Sequence, residues 1–270
     1  MIPPDKLHQL SKGHRRRKLA LCFGSLERDI AGIAEKGNEY RFNSMTRQEY
    51  TKRLVEIVLE DPQLPENAKS EIQDLLNQNP FDERRICNVT RNHLLAIIGT
   101  FPAEWDLVIA PHKTTTEGTV EKREFFPGLC VYAEDIRSPF NLGSIFRTAE
   151  AMGAEKVYIS PFCTDPNHPR AIRSGMGCIE TIPWERCSLE ELPDDLPIFA
   201  LETGGTPLEE FEFPEKGIVI IGSEELGISP QALQKASYGR VTIPMKGIKS
   251  SLNVGVAFGI LMQSWISAIY

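Results

Sequence analysis

Short apolar segments alternate with helical segments through the C-terminal half of the chain, and this alternation most constrains how the chain can fold. Polar turns or stretches of helical spacing separate the apolar segments, which are 129–133, 156–160, 198–202, 217–221 and 240–243. Strands that alternate with helices form parallel sheets that are covered on both faces. We therefore predict an α/β domain, with helices at 141–153, 230–236 and 252–269.

The first strand is followed by a polar turn with Pro139 and then by a helix that carries polar side chains. Asn141 is expected near the N-cap of this helix, and Gly153 is expected just after its C-cap. Arg147 lies six positions after Asn141. The spacing predicts that the two side chains lie on nearby faces, with Asn141 at the mouth of the turn.

The N-terminal part has helical periodicity in four segments that prolines separate, at 15–36, 46–59, 66–77 and 82–98. Thr46 and Glu49 have the spacing of a capping box. A short strand is expected at 106–110, and a polar loop begins at Lys113. These patterns predict a small helical domain at 1–112 and an α/β domain at 113–270.

The net charge of −7 argues against nonspecific binding of nucleic acid by the whole surface. One dense basic run, Lys12 to Lys18, is an exception. It could contact RNA phosphates or be the solvated start of a helix, and the sequence leaves both interpretations open.

Several features set the expected location and exclude two kinds of site. The chain lacks a long apolar stretch and a secretory signal, which favours a cytoplasmic protein without membrane contact. Its six cysteines are scattered. We therefore expect neither a metal site nor a disulfide framework.

Ligands of parallel sheets bind at the carboxyl ends of the strands, where four loops are rich in Gly, Ser, Asn or Glu: 137–141, 203–206, 222–227 and 245–253. Gly222 and Gly227 have the glycine spacing of a P-loop, but Ile228 replaces its lysine and two glutamates would repel phosphate. The dinucleotide fingerprint is also absent. Acidic loops of this kind better suit a ligand with positive charge, such as S-adenosylmethionine.

Three segments together resemble the ordered motifs of the SpoU (TrmH) family of RNA ribose methyltransferases. They are 141–153, then 220–227, then 243–245 with 251–257. The resemblance implies a SPOUT-type α/β domain in which the C-terminal segment threads through a loop to form a deep trefoil knot, an exception to unknotted topology. It also implies a homodimer that packs through the last helix, whose apolar side chains exceed one core face.

The resemblance further implies which residues form the site. S-adenosylmethionine would be held by Thr203, Gly204, Gly222, Ile243, Met245 and Leu252. Catalysis would involve Arg147, with Asn141, Glu224, Ser251 and Asn253 around it. The structural alternatives are a surface ion pair of Arg147 with Glu150 or Glu155, and a purely helix-capping role for Ser251 and Asn253, with Ser250 or Ser251 at the start of the last helix.

Methyl transfer to a ribose 2′-hydroxyl depends mainly on positioning and on removal of one proton. Neutralising a guanidinium at pH 7 costs about 8 kcal/mol, because its pKa lies far above neutral, so we expect Arg147 to act charged, on a phosphate or a developing alkoxide. Glu224 is expected to orient Asn141 by accepting hydrogen bonds. Arg170 and Arg173 are candidate phosphate contacts, whereas His168 is expected to be an ordinary loop histidine.

The sequence therefore predicts a methyltransferase that uses S-adenosylmethionine to modify the ribose of rRNA or tRNA, with the helical domain helping to select the RNA. One alternative is a catalytically idle RNA-binding or assembly protein on the same fold. Another is methylation of a base, which would need a different set of polar side chains in the site.

Overall fold

The structure, a computed structural model, describes residues 1–33, 42, 45–100, 122–248 and 251–270. The chain divides into two compact units, Met1–Pro111 and His112–Tyr270. The strand predicted at 106–110 and the polar loop from Lys113 lie outside the described residues.

The described part of the N-terminal unit is helical. Its helices are α1 (Pro4–His8), α2 (Lys12–Ile30), α3 (Arg47–Leu59), α4 (Glu66–Leu76) and α5 (Glu83–Ile98). The capping box predicted at α3 is confirmed, because the Thr46 side chain accepts from the Glu49 amide and Glu49 accepts in return. The prediction that α2 continues to Lys36 is wrong, since the helix ends at Ile30 and Gly32 has a left-handed φ of 72°.

Two cations of the basic run stabilise the N-terminal unit. Arg16 makes two hydrogen bonds to the Asp61 carboxylate, at 2.6 and 2.7 Å, and these hold the pKa of Asp61 below its usual range. Arg15 donates to backbone carbonyl oxygens at and beyond the end of α1. Lys12 and Arg17 are exposed and therefore accessible to a phosphate.

Six strands of the described C-terminal unit form one sheet: β1 (Phe126–Ala133), β2 (Ala154–Ile159), β3 (Trp184–Arg186), β4 (Ile198–Pro207), β5 (Gly217–Ile221) and β6 (Gly239–Thr242). Their order is β3-β2-β1-β5-β4-β6, and every neighbouring pair is parallel. The predicted α/β fold with a parallel sheet is confirmed. Because the strand order reverses beside β1, the carboxyl ends of β1 and β5 form the crevice where such sheets bind ligands.

Both faces of the sheet are covered, as alternate residues of β1 illustrate. Leu129 and Val131 face a core that includes side chains of α6 (Pro139–Ala151), α7 (Pro169–Gly175) and α9 (Val254–Ile269). Cys130 and Tyr132 face a smaller core with α8 (Pro230–Lys235). A strand buried on both sides explains why its sequence is continuously apolar.

Several local predictions differ from the structure. Helix α7 and strand β3 lie between the apolar segments 156–160 and 198–202, where no helix or strand is predicted. The N-cap of α6 is Ser138 rather than Asn141, because Pro139 occupies the first turn and the Ser138 hydroxyl accepts from the Asn141 amide. Gly153 follows the C-cap with a φ of 70°, as predicted.

Two predictions concern segments beside the sheet. Residues 203–206 form an irregularity within β4, where the pairing with β6 shifts register, rather than a loop after the strand. The threading of the C-terminal segment stays a prediction, since residues 249 and 250 of that segment lie outside the described residues.

Candidate active site

The strands whose ends carry the predicted site residues are neighbours in the sheet. Asn141 follows β1, Gly222 and Glu224 follow β5, and Ile243 and Met245 follow β6. Strand β4, with its register shift at Thr203 and Gly204, lies between β5 and β6. The proposed cofactor residues therefore lie on or after the neighbouring strands β5, β4 and β6. Strand β1, which Asn141 follows, is the next strand beyond β5.

A buried amide and a carboxylate join the first two motifs. Asn141 is 7% exposed, and its Nδ2 donates to Glu224 Oε1 at 2.8 Å. The backbone N–H groups of Arg137 and Ser138 donate to the same carboxylate at 3.1 and 3.2 Å. Burial raises the pKa of Glu224, but these hydrogen bonds outweigh it and hold the pKa below its usual range.

The third motif completes this network through Asn253. Its Nδ2 donates to Asn141 Oδ1 at 3.0 Å, while its own Oδ1 accepts from the amides of Gly255 and Val256 at 3.0 and 3.4 Å. Asn253 is therefore the N-cap of α9, as the capping alternative allowed, whereas the start of this helix at Ser250 or Ser251 is wrong. Each amide has one consistent orientation, since the oxygen of Asn141 faces a donor and its nitrogen faces a carboxylate.

Arg147 lies apart from these contacts. It is exposed on α6, and in the part of the chain that the structure describes it makes neither a hydrogen bond nor an ion pair. The alternative ion pairs are not formed by these residues, because Glu150 accepts from the Cys178 thiol and Glu155 from the Gly128 amide. The structure thus brings together Asn141, Glu224 and Asn253 and leaves the guanidinium of Arg147 accessible. Ser251 is also exposed.

Glu202 lies in the middle of β4, just after the residues that pair with β5, and the sequence analysis missed it. Its Oε1 accepts from the amide and hydroxyl of Thr203 at 2.7 and 3.0 Å, and its Oε2 accepts from the Ile228 amide at 3.1 Å. One carboxylate therefore links β4 to the end of the 222–227 loop. A glutamate just before Thr-Gly-Gly was the available signal, but its partner lies 26 positions away.

A second missed carboxylate, Glu134, lies at the end of β1. It is 8% exposed and accepts from the hydroxyl and amide of Ser229 at 2.6 and 2.8 Å. Ser229 is in turn the N-cap of α8. With Glu202 and Glu224, this residue makes the strand ends acidic, which favours a ligand with positive charge.

Gly222 lies where two parts of one loop touch. A Cβ atom at this position would lie 2.3 Å from the carbonyl carbon of Gly227 and 2.4 Å from the nitrogen of Ile228. Ser223 and Gly227 exchange backbone hydrogen bonds at 2.9 and 3.1 Å, which close the loop. A side chain at Gly222 would force the backbone of this loop apart.

The family model for the SpoU rRNA Methylase family matches residues 128–263, which contain all three motifs. The chain belongs to the SpoU rRNA methylase family.

Curated relatives show how far the likeness extends. An uncharacterized tRNA/rRNA methyltransferase of Synechocystis is 32% identical over 149 residues, which are 50% of this chain and 53% of the relative. The 23S rRNA (guanosine(2553)-2'-O)-methyltransferase RlmP of Bacillus subtilis is 31% identical over 133 residues, or 47% and 53% of the two chains. The SpoU chain thus spans about half the length of these relatives.

A solved structure titled as an RNA 2'-O ribose methyltransferase is 22% identical to this SpoU chain. It matches with a TM-score of 0.50 over 83% of this chain and 96% of the other. At this identity the match shows a shared fold. An rRNA methyltransferase from Sinorhizobium meliloti whose solved structure contains AdoMet is 24% identical to this chain, with a TM-score of 0.49 over 59% of this chain and 62% of the other.

The remaining predicted residues have separate environments. His168 is the N-cap of α7, where its Nδ1 accepts from the Arg170 amide at 3.1 Å, which matches its expected role as a loop histidine. The Arg170 side chain is exposed. Among the described residues, no group of three or more metal-ligating side chains comes together, and no helix is long and apolar enough to cross a membrane.

Proposed function

We propose that this SpoU-family chain transfers a methyl group from S-adenosylmethionine to a ribose 2′-hydroxyl of rRNA or tRNA. The observation that carries the proposal is the network of Asn141, Glu224 and Asn253, which ties the three motifs together at the strand ends. A ribose target is supported by the activity named for the Bacillus subtilis relative. The RNA itself is part of the proposal.

The strand ends have chemistry that suits S-adenosylmethionine. Segments 202–206 and 222–227 contain glycines and glutamates but neither Lys nor Arg. Such loops match a ligand that carries a sulfonium and an ammonium group and supplies an electrophilic methyl group when bound. We assign its binding to Thr203, Gly204, Gly222, Ile243, Met245 and Leu252.

The protein's own residues would orient the reactants. The network fixes the Asn141 amide, so its free N–H and lone pair have defined directions toward the strand ends. Arg147, accessible and charged, would hold a phosphate or stabilise the developing alkoxide. Ser251 and the second N–H of Asn253 are further donors for the ribose. Precise placement of the hydroxyl supplies most of the rate.

We also propose a homodimer that packs through α9 and α6. Val256 and Ile260 on α9 are 54% and 39% exposed, and Phe140 on α6 is 42% exposed. Arg147 lies seven residues after Phe140, on the same face of α6. A partner on this face would therefore lie beside the proposed catalytic arginine. Light scattering at micromolar concentration tests this, and a monomer would contradict it.

The N-terminal helical unit is proposed to help select the RNA, with Lys12 and Arg17 as phosphate contacts, and the protein is expected to act in the cytoplasm.

The central proposal is tested with the purified full chain. Calorimetry should detect binding of S-adenosylmethionine, and a labelled methyl group should pass to rRNA or tRNA. A chain that binds RNA but neither binds the cofactor nor transfers the methyl group would instead be an idle RNA-binding protein.

A further inference from the structure

An exposed aromatic ring lies at the carboxyl ends of the strands, as the candidate site does. Phe162 is 77% exposed and lies three residues after the end of β2, the strand next to β1. The carboxyl ends of these parallel strands meet at one edge. The ring belongs to the turn of residues 160–164, here called the β2 turn.

The β2 turn is fixed to the segment that follows β1. Ser160 donates its amide proton to the Ala133 carbonyl at 2.9 Å, and the Thr164 amide donates to the Ile136 carbonyl at 2.9 Å. Inside the turn, the Cys163 amide donates to the Ser160 carbonyl at 3.2 Å, and the Cys163 thiol donates to Ala133. A ring on a turn held at both ends loses little entropy when it binds a ligand.

A cation binds the backbone of the β2 turn. The guanidinium of Arg186 donates to the carbonyl oxygens of Ser160, Pro161 and Cys163 at 2.9 to 3.0 Å, and to that of Thr164 at 3.3 Å. In the described parts of the chain no carboxylate forms an ion pair with Arg186, although the Asp135 carboxylate accepts from the Ser160 hydroxyl of the same turn at 2.6 Å. A fixed positive charge beside an exposed ring favours an anionic polymer with flat bases.

We propose that Phe162 is a platform on which an unpaired base of the RNA substrate stacks, close to the nucleotide that is methylated. Unpaired bases are recognised in RNA by stacking on aromatic side chains, and the phosphates are attracted by nearby cations. The β2 turn supplies both features beside the segment that carries the Glu224 donors. The inference rests on the proposed function in taking RNA as the substrate.

The test uses the full chain and a short single-stranded oligoribonucleotide that contains a fluorescent purine analogue. Stacking quenches this fluorescence, and the titration needs no methyl donor. We expect Phe162→Ala to weaken binding roughly ten- to a hundredfold, since stacking contributes strongly to such binding. Phe162→Tyr should bind like the wild type with the same quenching, whereas Phe162→Leu should be as weak as the alanine variant.

The matched control is Phe125→Ala. Phe125 is 43% exposed but precedes β1, at the opposite edge of the sheet, so its removal should leave binding unchanged. Equal affinities of wild type, Phe162→Ala and Phe162→Leu would overturn the inference. So would a wild type that does not quench the analogue, or a Leu variant that keeps full affinity.

The proposed function can fail separately. If the wild type shows Phe162-dependent quenching but transfers no methyl group, the stacking role of Phe162 is supported and the proposed methyltransferase activity is contradicted. If the wild type methylates RNA and Phe162→Ala does so with unchanged KM and oligonucleotide affinity, the stacking role of Phe162 is contradicted and the proposed function is supported.

Discussion

Asn253 donates from its side-chain amide to Oδ1 of Asn141 at 3.0 Å, across 112 positions of the chain. The other end of the same amide caps α9. One side chain thus has a structural duty, the cap, and a duty in the site, the fixing of Asn141. The two duties require different atoms, so substitutions can separate them.

Asn253→Asp should keep the cap and lose the donor, because a carboxylate accepts from the amides of Gly255 and Val256 but repels the oxygen of Asn141. We expect a thermal midpoint close to that of the wild type and methyl transfer reduced at least about tenfold. Asn253→Ala should lose the cap as well, at a cost of about 1 kcal/mol of stability. Paired thermal unfolding and methyl-transfer rates check both; an aspartate variant with wild-type activity would refute the role assigned to the donor.

The carboxylate of Glu224 predicts a dependence of stability on pH. Since its pKa is lowered in the folded chain, its contribution is complete at neutral pH and is lost as the pH falls below the ordinary value of 4.5 and through the folded value. Glu224→Gln would place an N–H group against other donors. We expect it to cost about 1 kcal/mol near neutral pH, a low figure because the carboxylate reaches solvent.

Urea unfolding of wild type and Glu224→Gln at neutral and acidic pH measures this contribution. The free-energy difference between the two proteins should shrink on acidification, because only the wild type has a charge to lose at this position. A difference that stays constant from neutral to acidic pH would show that the Glu224 hydrogen bonds do not depend on its charge.

Much of the sheet could be predicted, because strands buried on both faces are continuously apolar. Strand β5 has the predicted bounds, Gly217 to Ile221. Asn141 lies near the N-cap of α6 as predicted, but the helix begins two residues before Asn141, because Ser138 is also a good cap and Pro139 occupies the first turn. Local pattern thus located the elements better than it assigned their ends.

The site was less predictable where it depends on contacts between distant residues. The motifs include Asn141, Glu224 and Asn253. Which of these side chains bonds to which depends on the strand ends that are neighbours in the sheet, and the sequence does not specify this. Glu134 binds a serine 95 positions away, and nothing in the local sequence signals this partner. Conversely, Arg147 follows Asn141 closely in sequence, but among the described residues its side chain makes no hydrogen bond to the network.

Gly222→Ala should damage the cofactor loop. The added Cβ would meet backbone atoms of Gly227 and Ile228 at 2.3 to 2.4 Å, so the loop must open. We expect loss of S-adenosylmethionine binding in calorimetry and a lower thermal midpoint of the C-terminal unit. Gly13→Ala is the control, since Gly13 is helical with nothing within 4 Å of its Cβ position, and it should stabilise the chain by about 0.5 to 1 kcal/mol. Normal cofactor affinity in Gly222→Ala would contradict this account of the loop.

Arg147→Lys and Arg147→Ala separate function from stability at the exposed arginine. Because Arg147 makes no hydrogen bond or ion pair with the described residues, both variants should unfold like the wild type. A lysine keeps the charge but loses the planar fork that holds a phosphate or alkoxide in two places. We expect methyl transfer to fall at least about tenfold in Arg147→Lys and further in Arg147→Ala. Near-normal rate and RNA affinity in Arg147→Lys would show that the fork has no role.

The central claim is that the methyl group goes to a ribose of RNA, and the most direct test is mass spectrometry of nucleosides from RNA treated with the purified chain and isotopically labelled S-adenosylmethionine. The account predicts that the label stays with the sugar fragment when the glycosidic bond breaks, and that Asn253→Asp leaves far less label in the RNA. Label that stays with the base fragment, or RNA without label, would contradict it.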